Sequence, residues 1–456
     1  MLLKTGNLFI QLNRRSICGK AEMDAKIRAY QQSVSVLDDA IDKITFSQLP
    51  ANNPIEDHYS IAKCLHTNSY FFGIFDGHGS ECCSRHVSVR LYDYLCASVL
   101  KKYSFNNLSD RDQLKWIFSS SDRDFSPSFR QRHAANLEKF IKNDSMDTAT
   151  MMKVIENAFL AMDDDISNDA LPDTNGNISR NRVKIAVSGS CGIVAHLRKN
   201  HLHVANVGDS VAILGTLKNG HIAPQLLSKL HSCDNTDEIK RVRSAHPISE
   251  SETILRSDRL LGELYPLRAF GDVRYKWPLK LQKIILAPFD IDVPNGLQTP
   301  PYLTALPEVF YHRLTSDDQF LILASDGLWE WLDPDTVVRL VYDHTIGTET
   351  LTPYQPDYHL SLSEASHFNS HILKLIVFER LQKRLLGECK KPLDENSATH
   401  LIRHALGGCA SDAEEQYLRL KDMLESPPGT ARNIRDDISI IIVHFSQQYL
   451  QMNRVN

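Results

Sequence analysis

Three aspartates stand out because each lies at one end of a short apolar run. Asp76 follows the largely apolar run at residues 69–75, Asp326 follows the run at residues 319–325, and Asp436 lies just before the run at residues 438–445. Carboxylates at strand ends can converge on one rim of a sheet sandwich, and the glycines after Asp76 and Asp326 let the backbone approach a ligand closely. Oxygen ligands of this kind suit Mg²⁺ or Mn²⁺. The three positions therefore predict a divalent metal site.

Glu56 and Asp57 add two further acidic side chains to this candidate set. Carboxylates that pack together repel one another strongly unless cations lie between them. A single Asp-Gly pair is typical of an ordinary turn. The prediction of a metal site therefore depends on the whole set rather than on any one pair.

Several short apolar runs alternate with short connections, which predicts antiparallel sheets because a parallel crossover needs a dozen residues or more. Strands are expected at residues 69–75, 185–190, 192–197, 201–207, 211–214, 319–325 and 438–445. Helical spacing is expected at residues 82–101, 151–162 and over much of 333–425. We expect one domain over residues 22–450, with antiparallel sheets packed under helices and a polar insertion near residues 104–150.

Composition excludes several classes of protein. The formal net charge of the 456-residue chain is −5, which gives no electrostatic case for nucleic acid or an anionic membrane as a partner. The nine cysteines form no C-x-x-C pair, so a zinc or redox motif is not expected. No apolar stretch approaches the roughly 18 residues needed for a transmembrane helix.

The N-terminal segment, residues 1–21, has a composition of its own. It contains four basic residues, no acidic residue and several apolar side chains. A basic, acid-free and partly amphipathic leader is typical of a mitochondrial transit peptide. The alternative is a basic tail without a targeting role.

The ordered motifs of the chain resemble the metal-dependent protein phosphatases of the 2C (PPM) type. The resemblance runs from about residue 49 to residue 445 and is carried by residues 56–57, 76–79, 208–210, 268–272, 326–327 and 435–437. Longer strings resemble the pyruvate dehydrogenase phosphatase branch of this family, at residues 48–57, 258–262, 268–277, 299–305 and 398–405. That branch acts in the mitochondrial matrix, in agreement with the leader.

The resemblance implies an α+β fold with four layers, an α/β/β/α sandwich around two central antiparallel sheets. It also implies two Mg²⁺ or Mn²⁺ ions at one end of the sandwich. Asp76 would bridge both ions and the Gly77 carbonyl would bind one of them. Asp326 and Asp436 would complete the other metal site.

The remaining roles also follow from the resemblance. Glu56 or Asp57 would act through water on the metals, and that water would attack phosphoserine in line. His78 would donate a proton to the leaving serine, although a structural histidine in a turn is the alternative. Asp209 and Glu330 match positions that hold a third, weaker metal in relatives.

Some positions depart from the usual pattern of the family. Asn52 stands where most members carry an arginine that binds the substrate phosphate, so phosphate would meet a neutral amide here. Val211 and Leu230 stand where an arginine and an aspartate are usual, which could be the paired loss of one salt bridge. No metal ligand is lost by these changes.

The leading hypothesis is a matrix phosphatase that dephosphorylates phosphoserine on the pyruvate dehydrogenase α subunit and so activates the complex. A lipoyl domain or a regulatory subunit could be a further partner, which the sequence does not decide. The alternatives are a phosphatase of broad specificity in the cytosol and a non-catalytic adaptor that retains the fold.

Overall fold

Two six-stranded antiparallel sheets lie at the centre of the protein, a computed structural model that describes residues 19–38, 40–102, 113–122, 126–142, 150–347, 393–408 and 413–452. The first sheet contains, in spatial order, β1 (Gln32–Asp38), β2 (Ile41–Leu49), β17 (Ile438–Phe445), β16 (Asp318–Ala324), β10 (Val211–Lys218) and β11 (His221–Leu226). The second contains β15 (Glu308–Arg313), β9 (His201–Val207), β8 (Gly192–Arg198), β4 (Ser69–Phe75), β3 (His58–Cys64) and β6 (Leu114–Ser119).

The inner faces of the two sheets pack on each other. Phe46 of the first sheet stacks on Tyr59 of the second, with ring centroids 3.6 Å apart. The same buried cluster joins Leu323 and Ile441 to Phe72 and further apolar residues of the second sheet. Since helices cover the outer faces as well, every residue of β4 is buried, which explains its uninterrupted apolar run.

Helices form the two outer layers. The second sheet is covered by α2 (Cys82–Lys102) and α4 (Met151–Asp169), accompanied by α3 (Pro127–Ile141) and α5 (Arg180–Val187). The first sheet is covered by α1 (residues 19–28), α11 (Pro334–Thr345), α12 (Ser397–Gly407) and α13 (Ala413–Glu425). The predicted four-layer α/β/β/α arrangement is therefore confirmed.

Shorter elements connect these layers. The other α-helices in the described part of the chain are α6 (Thr236–Ser244), α7 (Ser251–Ile254), α8 (Val273–Lys276), α9 (Leu279–Ile285), α10 (Asp326–Trp329) and α14 (Gln447–Met452). A three-stranded strip at one end of the sandwich has the order β14 (Phe270–Gly271), β7 (Gly189–Ser190) and β5 (Gly77–His78). A short antiparallel hairpin pairs β12 (Leu255–Arg256) with β13 (Arg259–Leu260), each strand having two residues.

One prediction of local structure needs correction. The strand expected at residues 185–190 is wrong over its first half, because α5 extends to Val187 and only Gly189–Ser190 is a strand. Such short apolar runs are ambiguous between helix and strand. The polar segment near residues 104–150 contains a strand, β6, that pairs with β3, and a helix, α3, that packs against α2.

The N-terminal leader falls almost wholly on residues 1–18, outside the described residues. Helix α1 is described from residue 19 onward, and its side chains Met23 and Ile27 are buried against the first sheet's outer cluster. The boundary of the leader at residue 21 stays a prediction. Within the described residues, no helix has the length and apolar character to cross a membrane.

Candidate metal centre and active site

Three carboxylates from separate elements meet at one end of the sandwich. Asp76 follows β4, Asp209 lies in the turn between β9 and β10, and Asp326 is the first residue of α10, separated from β16 by Ser325 alone. One carboxylate oxygen of each lies within 4.8 Å of the others. The sequence-predicted pair of Asp76 and Asp326 is thus brought together, with Asp209 beside them.

The electrostatics of this cluster fit divalent cations. Burial, and then repulsion by Asp326, raises the pKa of the Asp76 carboxyl well above its ordinary value. Burial and the charges of Asp209 and Asp436 do the same to the pKa of Asp326. Among the described atoms, Asp326 Oδ1 is buried and has no hydrogen-bond partner. Oxygen ligands with excess negative charge and an unsatisfied buried acceptor suit Mg²⁺ or Mn²⁺.

Three further predicted residues, Glu56, Glu330 and Asp436, line the same cavity. Asp436 Oδ2 forms an ion pair with Arg432 Nη1 at 2.8 Å. Burial raises the pKa of Asp436, and Arg432 offsets only part of this effect. Burial and the charge of Asp437 raise the pKa of Glu56.

Asp57 lies beneath the cavity rather than on its wall. Its side chain is buried, and its Oδ2 accepts a hydrogen bond from Ser325 Oγ at 2.7 Å. Burial and the neighbouring Asp437 raise the pKa of Asp57 well above its ordinary value. Of the two acidic residues that the sequence left open, Glu56 is therefore the one exposed to the cavity, and Asp57 supports the cluster from below.

The sequence analysis missed Asp437, which organises the loop before β3. Its carboxylate accepts hydrogen bonds from the backbone N–H groups of Ala51 at 2.5 Å, Asn52 at 2.9 Å and Glu56 at 2.9 Å. The doubled Asp436-Asp437 was the available signal, because neighbouring residues of an extended chain point to opposite sides. One carboxylate lines the cavity and the other fixes the Glu56 loop.

Asn52 has a different environment from the one predicted. Its Nδ2 donates to Asp437 Oδ2 at 3.0 Å, and its side chain is not among those that line the cavity. The amide therefore helps Asp437 to hold the loop. Contact between Asn52 and substrate phosphate stays a prediction, and this geometry does not favour it.

The Gly77 position leaves no room for a side chain. A Cβ atom there would lie 2.4 Å from the Glu56 carbonyl oxygen and 2.5 Å from Ser84 Oγ. The backbone of β5 can consequently pass directly beside the Glu56 loop, with Gly77 paired to Ser190. Glycine at this place brings the backbone of residue 77 to the wall of the acidic cavity.

His78 forms a close pair with Asp272, which the sequence analysis did not single out. His78 Nε2 lies 2.6 Å from Asp272 Oδ2, across the strip of β5, β7 and β14. Burial acts to lower the pKa of His78, but the charge and hydrogen bond of Asp272 outweigh it and raise the pKa. The only available signal was the position of Asp272 inside the motif at residues 268–272.

The three clustered aspartates and His78 line one cavity of about 1050 Å³, together with Glu56 and Asp436. The acidic cluster forms one end. The far wall combines basic and aromatic side chains, among them Arg180, Lys184, Arg259, Arg274 and Tyr275. The two family departures, Val211 and Leu230, also line this cavity. The arrangement can hold divalent cations at one end and an anionic, partly apolar ligand beside them.

Comparisons with known proteins agree with this chemistry. The family model described as protein phosphatase 2C matches residues 100–353. The chain is 35% identical to the mitochondrial pyruvate dehydrogenase (acetyl-transferring) phosphatase 2 of Homo sapiens, over 94% of this chain and 83% of that relative. It is 36% identical to the corresponding phosphatase 1 of Bos taurus, over 88% and 77%. A protein phosphatase 2C homologue of Schizosaccharomyces pombe is 29% identical over 93% and 85%.

Proposed function

Since the chain belongs to the protein phosphatase 2C family and is a protein phosphatase, we propose that it dephosphorylates phosphoserine on the pyruvate dehydrogenase α subunit and so activates that complex. The observation that carries the proposal is identity of 35–36% along most of the chain with relatives that bear this activity in their names. The complete set of acidic residues at the cavity supports an active enzyme over a non-catalytic adaptor.

The proposed metal ligands are Asp76, the Gly77 backbone, Asp326 and Asp436, with Asp209 and Glu330 at a third position. When bound, Mg²⁺ or Mn²⁺ ions supply the Lewis acidity that makes water nucleophilic near neutral pH and offsets charge on the phosphoryl oxygens. Support comes from the mutual repulsion of the carboxylates and from the unpartnered Asp326 oxygen in the described structure.

The chain's own residues would position the substrate and supply the proton. His78 is held by Asp272 at 2.6 Å and lines the cavity beside Asp76. A serine alkoxide is a poor leaving group unless it is protonated, and a positioned imidazolium can donate that proton. Glu56, fixed by its backbone hydrogen bond to Asp437, would orient water at the acidic end.

The proposed location is the mitochondrial matrix, with residues 1–21 as a transit peptide and residues 22–450 as one phosphatase domain with an insertion near 104–150. The mitochondrial names of the relatives and the basic, acid-free leader support this location. A lipoyl domain or a regulatory subunit is a further proposed partner.

The decisive experiment measures release of phosphate from the intact phosphorylated pyruvate dehydrogenase complex, with the phosphorylated branched-chain complex as the competing substrate. We expect faster release from the first complex in the presence of Mn²⁺ or Mg²⁺, none in chelator, and none with Asp76→Asn. Equal rates on both complexes would instead favour a phosphatase of broad specificity. No release from either complex or from phosphoserine peptides would reject the enzymatic proposal.

A further inference from the structure

Helix α5 carries three cations and no acidic residue. Arg180, Arg182 and Lys184 alternate along its first five positions, and the rest of the helix is Val, Ile, Ala and Asn. Arg180 and Lys184 are exposed and Arg182 is half-buried. The helix is therefore a compact basic element.

This helix forms a wall between two cavities. Arg180 and Lys184 line the catalytic cavity together with Val183 and Val187. Arg182 lines a second cavity of about 490 Å³ on the other side. Helical geometry accounts for this division, because residues four apart share a face whereas residues two apart are separated by about 200°.

The second cavity is basic as well. Arg85 of α2 and Arg132 of α3 line it with Arg182, and Asp122 is the single carboxylate among the described residues of its lining. Arg132 is partly engaged, because its Nε lies 3.5 Å from Asp169 Oδ1. Arg85 and Arg182 form no ion pair with a carboxylate in the described part of the chain. Positive charge thus continues from the catalytic cavity over α5 into this neighbouring cavity.

The cations of α5 differ from two other arginines that line the catalytic cavity. Arg274 is neutralised by Glu263 Oε2 at 3.2 Å, and Arg432 by Asp436 Oδ2 at 2.8 Å. Within the described residues, none of the three α5 cations forms an ion pair with a carboxylate, although Cys82 and the charge of Glu81 raise the pKa of Lys184. The positive charge of the helix therefore stays available to attract an incoming anion.

We infer that helix α5 binds acidic side chains of the phosphoprotein substrate, on the segment that flanks the phosphoserine. This inference rests on the proposed phosphatase function and adds a preference for carboxylates near the phosphorylated residue. Arg180 and Lys184 would meet acidic residues next to the phosphoserine. Arg182 and Arg85 would meet acidic residues farther along the segment, after it crosses the helix.

The test compares phosphoserine peptides that differ only in their flanks, which are acidic, neutral or basic. For each enzyme, kcat/KM on every peptide is divided by kcat/KM on p-nitrophenyl phosphate, which carries no flanking residues. We expect Lys184→Gln and Arg182→Gln each to lower this ratio about two- to fivefold for acidic flanks, the size of one exposed ion pair. The loss should appear mainly in KM and should shrink at high salt.

A charge-reversal variant makes the test sharper. Arg182→Glu should lower the ratio for acidic flanks and raise it for basic flanks, because the sign of the contact is inverted. Arg243→Gln is the matched control, since Arg243 is an exposed arginine on α6 that lines neither cavity. It should leave the order of the three peptides as in the parent protein.

Three outcomes separate the possibilities. Equal losses on all three peptides would mean that α5 acts structurally, and the inference would be wrong. An equal effect of Arg243→Gln would assign the preference to overall charge and would also overturn it. If p-nitrophenyl phosphate is hydrolysed but acidic flanks are not preferred, the inference fails and the phosphatase function stands.

Discussion

His78 Nε2 and Asp272 Oδ2 meet at 2.6 Å directly over Gly189, the middle position of a three-stranded strip. A Cβ atom on Gly189 would lie 2.0 Å from the imidazole nitrogen and 2.2 Å from the carboxylate oxygen. The pair thus exists because the strand between its partners has no side chain at this place. The histidine proposed to donate a proton is positioned by two residues outside its own motif.

The loss of activity on replacement of His78 should depend on the leaving group of the substrate. With His78→Asn we expect kcat on phosphoserine peptides to fall about 10²- to 10⁴-fold, the usual contribution of a positioned acid. The loss on p-nitrophenyl phosphate should be much smaller, because nitrophenolate leaves without a proton. Steady-state kinetics on both substrates check this, with Asp272→Asn expected to give an intermediate loss. Equal losses on both substrates would rule out the proton-donor role.

Gly189→Ala should separate His78 from Asp272 without changing the carboxylates of the acidic cluster, Asp76, Asp209 and Asp326. The added methyl group cannot fit between His78 and Asp272, so we expect a lower kcat on phosphoserine peptides with the leaving-group dependence of His78→Asn. The increase in Tm on addition of Mn²⁺ should stay as in the parent protein. Gly19→Ala is the control, since no other atom lies within 4 Å of a Cβ at that position. A variant with unchanged kcat would show that the pair is not needed.

Asp326→Asn should have opposite effects on the metal-free and the metal-loaded protein. Without metal, the Tm should rise, because one charge leaves a buried cluster whose members repel one another. With Mn²⁺ at about 100 times its dissociation constant, the parent protein should gain about 2.7 kcal/mol and the variant far less. Thermal melts in chelator and in Mn²⁺ measure both effects. Glu138→Gln, which removes an exposed carboxylate, should change neither.

Asp394 should be a strong determinant of stability far from the active site. Its buried carboxylate accepts hydrogen bonds from Arg403 Nε at 2.5 Å and from Arg28 Nε at 3.0 Å. Loss of one partner from a buried ion pair costs about 3–5 kcal/mol. Urea unfolding of Asp394→Ala should show a free energy of unfolding lower by this amount, while the Mn²⁺ response of the Tm persists. A difference below about 1 kcal/mol, the range of exposed pairs, would contradict the prediction.

The contacts of Asp394 with Arg403 and Arg28 also predict how the stability of the protein depends on pH. Burial acts to raise the pKa of Asp394, but the hydrogen bonds and charges of Arg403 and Arg28 outweigh it and hold the pKa below 3.8. The Asp394 carboxylate thus binds a proton less readily in the folded state than in the unfolded state. The contribution of Asp394 to stability is therefore present above pH 3.8, and it is lost as the pH falls through the pKa of Asp394 in the folded state. The stability gap between parent and Asp394→Ala should therefore narrow only in acid.

The sequence predicted those parts of the site that depend on single elements. Asp76 and Asp326 stand out because a buried strand stops at each of them, and the structure brings them together. Asp437 and Asp272 were missed because their roles depend on pairing between segments more than 190 residues apart, namely with Glu56 and with His78. Periodicity along one segment carries no information about such pairing.

In the fold, too, some elements were predicted from the sequence and others were missed. Long apolar strands such as β4 and β17 were predicted because they are buried on both faces. Strand β6 was missed because its residues are only partly buried at the edge of the second sheet, so its pattern is not strongly apolar. The end of helix α5 was predicted as a strand because Ile185 to Val187 form a short apolar run. Two of these three residues are β-branched, which favours strands.

The carboxylates of the acidic cluster come from both halves of the sandwich: Asp76 is attached to the second sheet and Asp326 to the first. Ions that bind both would cross-link the two sheets, so ligand distances would report how far apart the sheets lie. The Phe46–Tyr59 stack lies between the same two sheets. Core substitutions there would tune metal affinity, which makes the interior of this protein an adjustable part of its catalytic apparatus.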